Sequence, residues 1–364
     1  MKLTQRPLIL SLIAASSACA LAVGLAAAET YPGYAQTNLV SDGTESSAPN
    51  TDPNLKNPWG ITAIPGAPFW VADNHSGVST LYDGAGDIIP LVVKIPLPPN
   101  SPSDAVAAPT GIVWNPNPRL FLVSGQSSLF IFATEDGTIS AWSPAVDQAN
   151  AILQVDNSGN GAIYKGLALA SNPMGLFLYA TNFFAGTVDV FDSTFKPATL
   201  PGSFSDPGIP KGYAPFGIAL IDGSLFVTYA LQDADKHDDQ KGLGHGFVDV
   251  FDTSGNLIRR FASEGLLNSP WAVVRAPENF GLFSTRILIG NFGDGHISGF
   301  DSLGILHGQL GDTANKPISI PGLWGLSFGN AAGSDPSKLY FTAGPNGEEN
   351  GVFGFLQSVS ITHH

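Results

Sequence analysis

The sequence is almost free of cysteine: Cys19 is the one such residue among 364. It lies in an apolar run at residues 8–25, which follows Lys2 and Arg6 and precedes Ala26-Ala27-Ala28. This order is typical of a signal peptide, so residues 1–28 are predicted to be cleaved during export to the periplasm or the extracellular space. A retained membrane anchor is the alternative. After cleavage no thiol remains, which excludes disulfides and a cysteine nucleophile.

Positive charge is also scarce, with 16 Lys and Arg residues against 30 Asp and Glu and a formal net charge of −14. Loss of Lys2 and Arg6 with the signal peptide would leave 14 basic against 30 acidic residues, a net charge of −16. A surface this acidic argues against nucleic acid or an anionic membrane as partner. It suits a soluble exported protein or one that binds cations. No pattern for a nucleotide or redox cofactor is apparent.

Helical periodicity is nearly absent after residue 30, and a short sequence motif repeats instead. In each repeat a small residue is followed by an aliphatic strand. We call the residue just before the small one the rim residue. The small residues are Gly60, Gly111, Gly166, Gly217, Ala272 and Gly325, at steps of 51, 55, 51, 55 and 53 residues. A spacing this regular indicates a repeat architecture.

Each unit continues with short alternating strands separated by turns. In unit 2 we place the second strand at residues 120–123 and the third at residues 138–142, with the turn at residues 124–128. In unit 3 a fourth strand is expected around Ser203-Phe204. Six four-stranded units predict an all-β fold, a six-bladed β-propeller.

The predicted boundaries follow from this repeat. A lead-in spans residues 29–56, and its strand at residues 34–41 completes the last blade and closes the ring. The propeller spans residues 57–358, and residues 359–364 form a tail. The blades are predicted at residues 57–107, 108–162, 163–213, 214–268, 269–320, and 321–358 together with 34–41.

The first strand of each blade lines the central channel, so the rim residues should surround one mouth of it. They are Trp59, Thr110, Lys165, Phe216, Trp271 and Trp324. With Phe183 and Tyr229, these residues form the predicted ligand-binding set, although the aromatic rings could instead plug the channel. Lys165 could pair with a carboxylate, bind an anion or move a proton, and His245 is a second candidate for proton transfer.

Nitrogen and oxygen donors lie on turns of the same face. The predicted metal ligands are Asn74, His75, Asn182, Asn291 and Asp294. Such a set could hold Ca²⁺ where oxygens dominate, with Zn²⁺ as the second choice. Unit 4 carries an Asp-rich insertion at residues 231–246, which we interpret as a rim loop or lid.

The repeats resemble those of NHL and SMP-30/gluconolactonase-type propellers. The similarity is carried by Pro58-Trp59-Gly60-Ile61, Pro215-Phe216-Gly217-Ile218 and Val71-Ala72-Asp73-Asn74. The gluconolactonase resemblance implies a divalent metal at the channel mouth, with Asn182 and Asn291 as matching ligands. Trp59 stands where that family has its first Glu ligand.

Asn38-Leu39-Val40-Ser41-Asp42-Gly43, followed by Asn57-Pro58-Trp59-Gly60-Ile61, resembles the start of an exported, uncharacterised propeller family associated with PEP-CTERM bacteria. The sequence has no Pro-Glu-Pro sorting tail, so release is implied. Two functions remain open. The first is binding of a glycan, peptide or small molecule at the aromatic mouth. The second is a metal-dependent hydrolase or lyase of the lactonase type.

Overall fold

The computed structural model describes residues 32–43 and 47–359. The predicted signal peptide lies outside these residues. Within them the chain forms short β-strands and two 3₁₀ turns, Ser158–Asn160 and Gly281–Phe283. None of the described helical segments has the length and apolarity that a membrane span requires.

The strands are numbered in chain order. The lead-in contains β1 (Gly33–Ser41) and β2 (Asn50–Thr51). Blade 1 contains β3 (Pro58–Ala63), β4 (Phe69–Asp73), β5 (Val78–Tyr82) and β6 (Ile88–Lys94). Blade 2 contains β7 (Pro109–Trp114), β8 (Leu122–Val123), β9 (Gln126–Ser127), β10 (Phe130–Thr134), β11 (Thr138–Trp142) and β12 (Ile152–Asp156). Blade 3 contains β13 (Tyr164–Asn172), β14 (Gly175–Asn182) and β15 (Thr187–Phe191).

Blade 4 contains β16 (Tyr213–Ile221), β17 (Ser224–Leu231), β18 (Phe247–Phe251) and β19 (Leu257–Ser263). Blade 5 contains β20 (Pro270–Arg275), β21 (Ile287–Asn291), β22 (Ile297–Phe300) and β23 (Leu306–Gln309). Blade 6 contains β24 (Leu323–Phe328), β25 (Lys338–Ala343) and β26 (Val352–Val359). The six blades form the predicted six-bladed propeller, with apolar side chains packed between neighbouring sheets.

The ring closes through the lead-in strand, as predicted. β1 pairs antiparallel with β26 and parallel with β2, so blade 6 is a five-stranded sheet. The Tyr34 hydroxyl, on β1, donates to the Phe280 carbonyl at 2.7 Å and accepts from the Phe283 amide at 3.0 Å. Burial raises the pKa of Tyr34 to about 12. The closing strand is therefore bonded to blade 5 as well as to blade 6.

The prediction of a fourth strand in blade 3 is wrong, since β15 is the outermost strand of that sheet. After Phe191 the chain turns back and makes a bridge at Pro197, followed by a hydrogen bond from the Ala198 amide to the Val190 carbonyl at 2.8 Å. Pro197 and Pro201 have no amide proton for a ladder. The returning segment therefore leaves the sheet edge.

The second strand of blade 2 is also displaced from its predicted position. β8 pairs with β9 in a small hairpin, and β10 takes the central place beside β7. The sequence of blade 2 has two apolar runs that could form its second strand, and the later one, Phe130–Thr134, does so. The turn before β11 is consequently Glu135-Asp136-Gly137 and not residues 124–128, which brings a carboxylate to the mouth.

The small residue of the repeat is required where neighbouring first strands meet at the axis. A Cβ on Gly111 would lie 2.6 Å from the Leu167 amide nitrogen, and one on Gly325 would lie 2.5 Å from the Trp59 carbonyl oxygen. A cavity of about 360 Å³ begins at these small residues and is lined mainly by the aliphatic parts of the first strands. Of the six rim residues, Trp271 lines it.

Candidate functional site

We use the term mouth for the rim residues together with the turns between the second and third strands. Its centre is filled by aromatic rings. Trp59 stacks on Trp324 with ring centroids 3.4 Å apart, and Phe292 stacks on the same Trp324 at 3.8 Å. Trp271 meets Trp59 and Trp324 edge-on, at 6.0 and 5.8 Å. Trp59, Phe216 and Trp324 are at most 2% exposed. These rings form a plug that closes the channel.

The other members of the predicted ligand-binding set are buried too. The Thr110 hydroxyl donates to the Tyr164 carbonyl at 2.8 Å, which fixes blade 2 against blade 3. Phe183 packs on Phe216 with centroids 5.2 Å apart, and the Tyr229 side chain lies in the apolar core of blades 3 and 4. Their ring faces are used for packing.

Lys165 is the charged member of the rim and is 1% exposed. Its ammonium donates to Glu135 Oε1, lies 3.4 Å from Asp238 Oδ1 and is 5.1 Å from the Trp59 ring. Burial alone would lower the pKa of Lys165, but the carboxylates of Glu135 and Asp238 raise it above its usual value. Lys165 is therefore an ammonium ion, and it is not free to accept a proton.

Glu135 is held from its other side by a hydrogen-bonded chain of amides. Asn74 Nδ2 donates to Glu135 Oε2 at 2.8 Å. Asn57 donates to Glu348 Oε2 at 2.9 Å and accepts from Trp324 Nε1 at 2.9 Å. Asn57 has a φ of 44° and Glu348 a φ of 74°, conformations that cost energy for residues other than glycine. Because Asn57 Nδ2 also lies 3.4 Å from Asn74 Oδ1, the two amides link the aromatic plug to both carboxylates.

Burial raises the pKa of Glu348, although the Asn57 amide and nearby Lys241 oppose this shift. Glu135, by contrast, accepts hydrogen bonds from the Lys165 ammonium and the Asn74 amide. The two carboxylates of the mouth therefore lie in different environments.

The insertion of blade 4 supplies the remaining groups. An antiparallel bridge between Gln232 and Asp239 folds it into a hairpin beyond β17, which brings His237 and Asp238 over Lys165. His237 Nδ1 is 2.9 Å from Asp238 Oδ1. This bond lowers the pKa of Asp238 to about 2, with Lys165 contributing, and raises the pKa of His237.

Glu135, His237 and Asp238 can each offer one ligand atom, and these atoms lie within 4.8 Å of one another. We call these three residues the donor triad. His237 and Asp238 are exposed, and Glu135 is partly buried beneath them. One imidazole nitrogen and two carboxylates are a donor set that divalent cations such as Mn²⁺ or Zn²⁺ accept. Ca²⁺ prefers a shell made of oxygens.

The predicted metal ligands lie elsewhere on this face. Asn182 donates to Asp189 Oδ2 at 3.0 Å, Asn291 donates to the Leu266 carbonyl at 2.7 Å, and Asp294 accepts from Asn268 at 3.2 Å. These bonds stabilise local turns. Asn74 is the member of the set that reaches the donor triad, through Glu135.

The two predicted histidines lie near other groups. His75 Nε2 is 3.4 Å from the Asn57 amide nitrogen, and His245 Nδ1 is 2.9 Å from the Gln240 carbonyl oxygen. His245 lies in the same insertion as His237, at its other end. Its contact with the Gln240 carbonyl does not connect His245 to Lys165.

Sequence reasoning missed Glu135 and gave no role to His237 or Asp238. A glycine precedes the third strand in blades 1, 2 and 3, at Gly77, Gly137 and Gly186. Counting back from Gly137 would have placed Glu135 in the turn at the mouth. The position of His237 near Glu135 depends on how the insertion folds, and the other repeats have no counterpart of this insertion.

Comparison with known proteins identifies viral relatives. The chain is 34% identical over 329 residues to uncharacterized protein R648 of Acanthamoeba polyphaga mimivirus, covering 87% of this chain and 78% of the relative. It is 32% identical over 321 residues to uncharacterized protein L690 of the same virus, covering 85% and 82%. No protein-family model matches. The association with PEP-CTERM bacteria stays a prediction.

Solved structures share the fold. Catalytically inactive virginiamycin B lyase from Staphylococcus aureus with quinupristin has a TM-score of 0.53 and 15% identity, covering 90% of this chain and 99% of the lyase. A gluconolactonase from Xanthomonas campestris has a TM-score of 0.41 and 14% identity, covering 69% and 86%. At these identities the likeness concerns architecture.

Proposed function

The chain belongs to the family of the mimivirus proteins R648 and L690, and on the geometry of its mouth we propose that it is a metal-assisted hydrolase or lyase. The observation that carries this proposal is the convergence of Glu135, His237 and Asp238 beside a buried ammonium. These residues come from blade 2 and from the insertion of blade 4. The tertiary fold thus brings these residues together.

The residues present fit a divalent cation. They combine an imidazole with two carboxylates, and Glu135 is oriented by Asn74 and Lys165 as ligating carboxylates usually are. Bound there, a cation would act as a Lewis acid toward a carbonyl or lactone oxygen of the substrate. The solvent-exposed positions of His237 and Asp238 would leave this side of the site accessible.

The chain's own groups would divide the other tasks. Lys165, an ammonium with little exposure, would hold Glu135 and Asp238 in position. The plug of Trp59, Trp324 and Phe292 would exclude water from below. Glu348, whose pKa is raised by burial, would hold a proton at Oε1 or Oε2 and exchange it with the substrate. Lys165 and His245 are not assigned this step, because Lys165 stays protonated and His245 lies apart.

The alternative of a binding protein that stacks ligands on an aromatic rim has less support, because the rings bury their faces against each other. A small molecule, glycan or peptide could still be the ligand of the polar mouth. Export of the protein, its partners and the absence of nucleotide cofactors remain predictions from the sequence.

The test is metal binding followed by turnover. Protein purified without chelator would be titrated with Mn²⁺, Zn²⁺ and Ca²⁺ by calorimetry, and then assayed on lactones, esters and uronic-acid polysaccharides. We expect one site per chain that is lost in His237→Ala and kept in His245→Ala, a matched change in the same insertion. Equal binding by both variants, or no binding by the wild type, would contradict the proposal.

A further inference from the structure

Lys165 brings an ammonium to two of the groups that make up the donor triad. Its Nζ donates to Glu135 Oε1 and lies 3.4 Å from Asp238 Oδ1. Lysine is the rim residue of blade 3 alone, whereas the other blades have Trp, Phe or Thr at this position. The candidate metal site therefore already contains a positive charge that belongs to the protein.

This ammonium is buried in the protein. The Lys165 side chain is 1% exposed, starts from a buried strand at the channel axis, and has the rings of Trp59 and Phe183 at 5.1 and 5.8 Å. Moving it away from Glu135 would leave a buried charge without its partner, which is costly. An incoming cation would have to share the carboxylates with it.

Sharing weakens the metal site in two ways. Part of the negative charge of Glu135 and Asp238 is already neutralised by the ammonium, and the ammonium repels a divalent ion a few ångströms away. At such distances Coulomb interactions in a partly buried site are large compared with the 1.4 kcal/mol that corresponds to a tenfold change in affinity. The ammonium should therefore have a measurable effect on metal affinity.

We propose that Lys165 is a tethered competitor of the divalent cation. Its ammonium keeps Glu135 and Asp238 together without metal, and it weakens metal binding so that occupancy follows the surrounding metal concentration. This inference rests on the proposed function, because it concerns the regulation of the same site. It assigns Lys165 a role distinct from the proton transfer expected from the sequence.

The experiment compares Mn²⁺ affinity by calorimetry in chelator-treated wild type, Lys165→Met and Lys241→Met. Lys241 is the matched control, because its ammonium lies on the same face, 3.9 Å from the Phe292 ring, and forms no ion pair with Glu135 or Asp238 among the described residues. We expect Lys165→Met to bind at least about tenfold more tightly. Lys241→Met should change affinity by less than about threefold, since its charge is farther from the triad.

Equal affinity of wild type and Lys165→Met would overturn the competition while leaving the metal site intact. Absence of binding in both would overturn the proposed function as well. A second measurement covers the case in which Lys165→Met does not fold. In wild type, the NMR signal of the Lys165 ammonium should shift on titration with diamagnetic Zn²⁺, and an unchanged signal at saturating Zn²⁺ would refute the competition.

Discussion

Replacing Glu135 by Gln tests whether the ion pair at the mouth stabilises the fold. The change keeps the shape of the side chain and an acceptor for Asn74, but it removes the charge that touches Lys165. Asp238 would remain 3.4 Å away as a second partner, and its side chain is 67% exposed. The buried ammonium would then depend on a partner that is largely solvated.

Breaking a buried pair by removing one partner usually costs 3–5 kcal/mol, and the remaining contact with Asp238 places our expectation at about 3 kcal/mol. For a chain of this size that corresponds to a fall in Tm of roughly 4–5 °C. Unfolding would be followed by circular dichroism in the presence of EDTA, so that metal does not contribute. Glu349→Gln, an exposed change one residue from Glu348, is the control and should stay within about 0.5 kcal/mol of wild type.

The double variant Glu135→Gln/Lys165→Met makes the result specific to the pair. With both charges removed, no uncompensated ammonium is left, so the double variant should be more stable than Glu135→Gln by about 1.5 kcal/mol or more. A Glu135→Gln protein as stable as wild type would refute this reasoning. So would a double variant with a lower stability than Glu135→Gln.

Three further predictions concern separate features. His237 should titrate above 6.5 in NMR spectra of the metal-free protein and return toward 6.5 in Asp238→Asn, because the Asp238 bond raises its pKa. The stability that this pair contributes is present below pH 6.5 and is lost as pH rises through the folded-state pKa of His237. An unshifted titration of His237 in the wild type would contradict this prediction. Gly325→Ala should lower Tm severely or prevent folding, since its Cβ would lie 2.5 Å from the Trp59 carbonyl oxygen, and an unchanged melting curve would show that the first strands can move apart. Tyr34→Phe should cost about 1–3 kcal/mol in urea unfolding by leaving two backbone groups of blade 5 unsatisfied, and a neutral effect would mean that pairing with β26 is sufficient for closure.

The fold was predictable because its determinants are local and repeated. Gly111 and Gly325 mark close approaches at the axis, and the alternating strands show their buried faces directly. The closing strand followed from the missing fourth strand of blade 6. Blade 3 departed from the pattern because Pro197 and Pro201 interrupt a ladder that the hydrophobic pattern alone would allow.

The site was predictable in part. The position of Lys165 at the mouth followed from the repeat, but its partners did not. Glu135 depended on which of two apolar runs became a strand, and that choice is decided by packing against β7. His237 and Asp238 depended on the folded shape of the insertion. The repeat predicted aromatic side chains at the rim. It did not predict that Trp59 stacks on Trp324, because the two residues meet only when the ring closes.

The most direct test of the account is a crystal of the protein soaked in Mn²⁺ and measured at a wavelength where manganese scatters anomalously. We predict one anomalous peak between the side chains of Glu135, His237 and Asp238, with the Lys165 ammonium still beside Glu135. A fully soaked crystal with no peak at the donor triad, or with its peak among Asn182, Asn291 and Asp294, would contradict it.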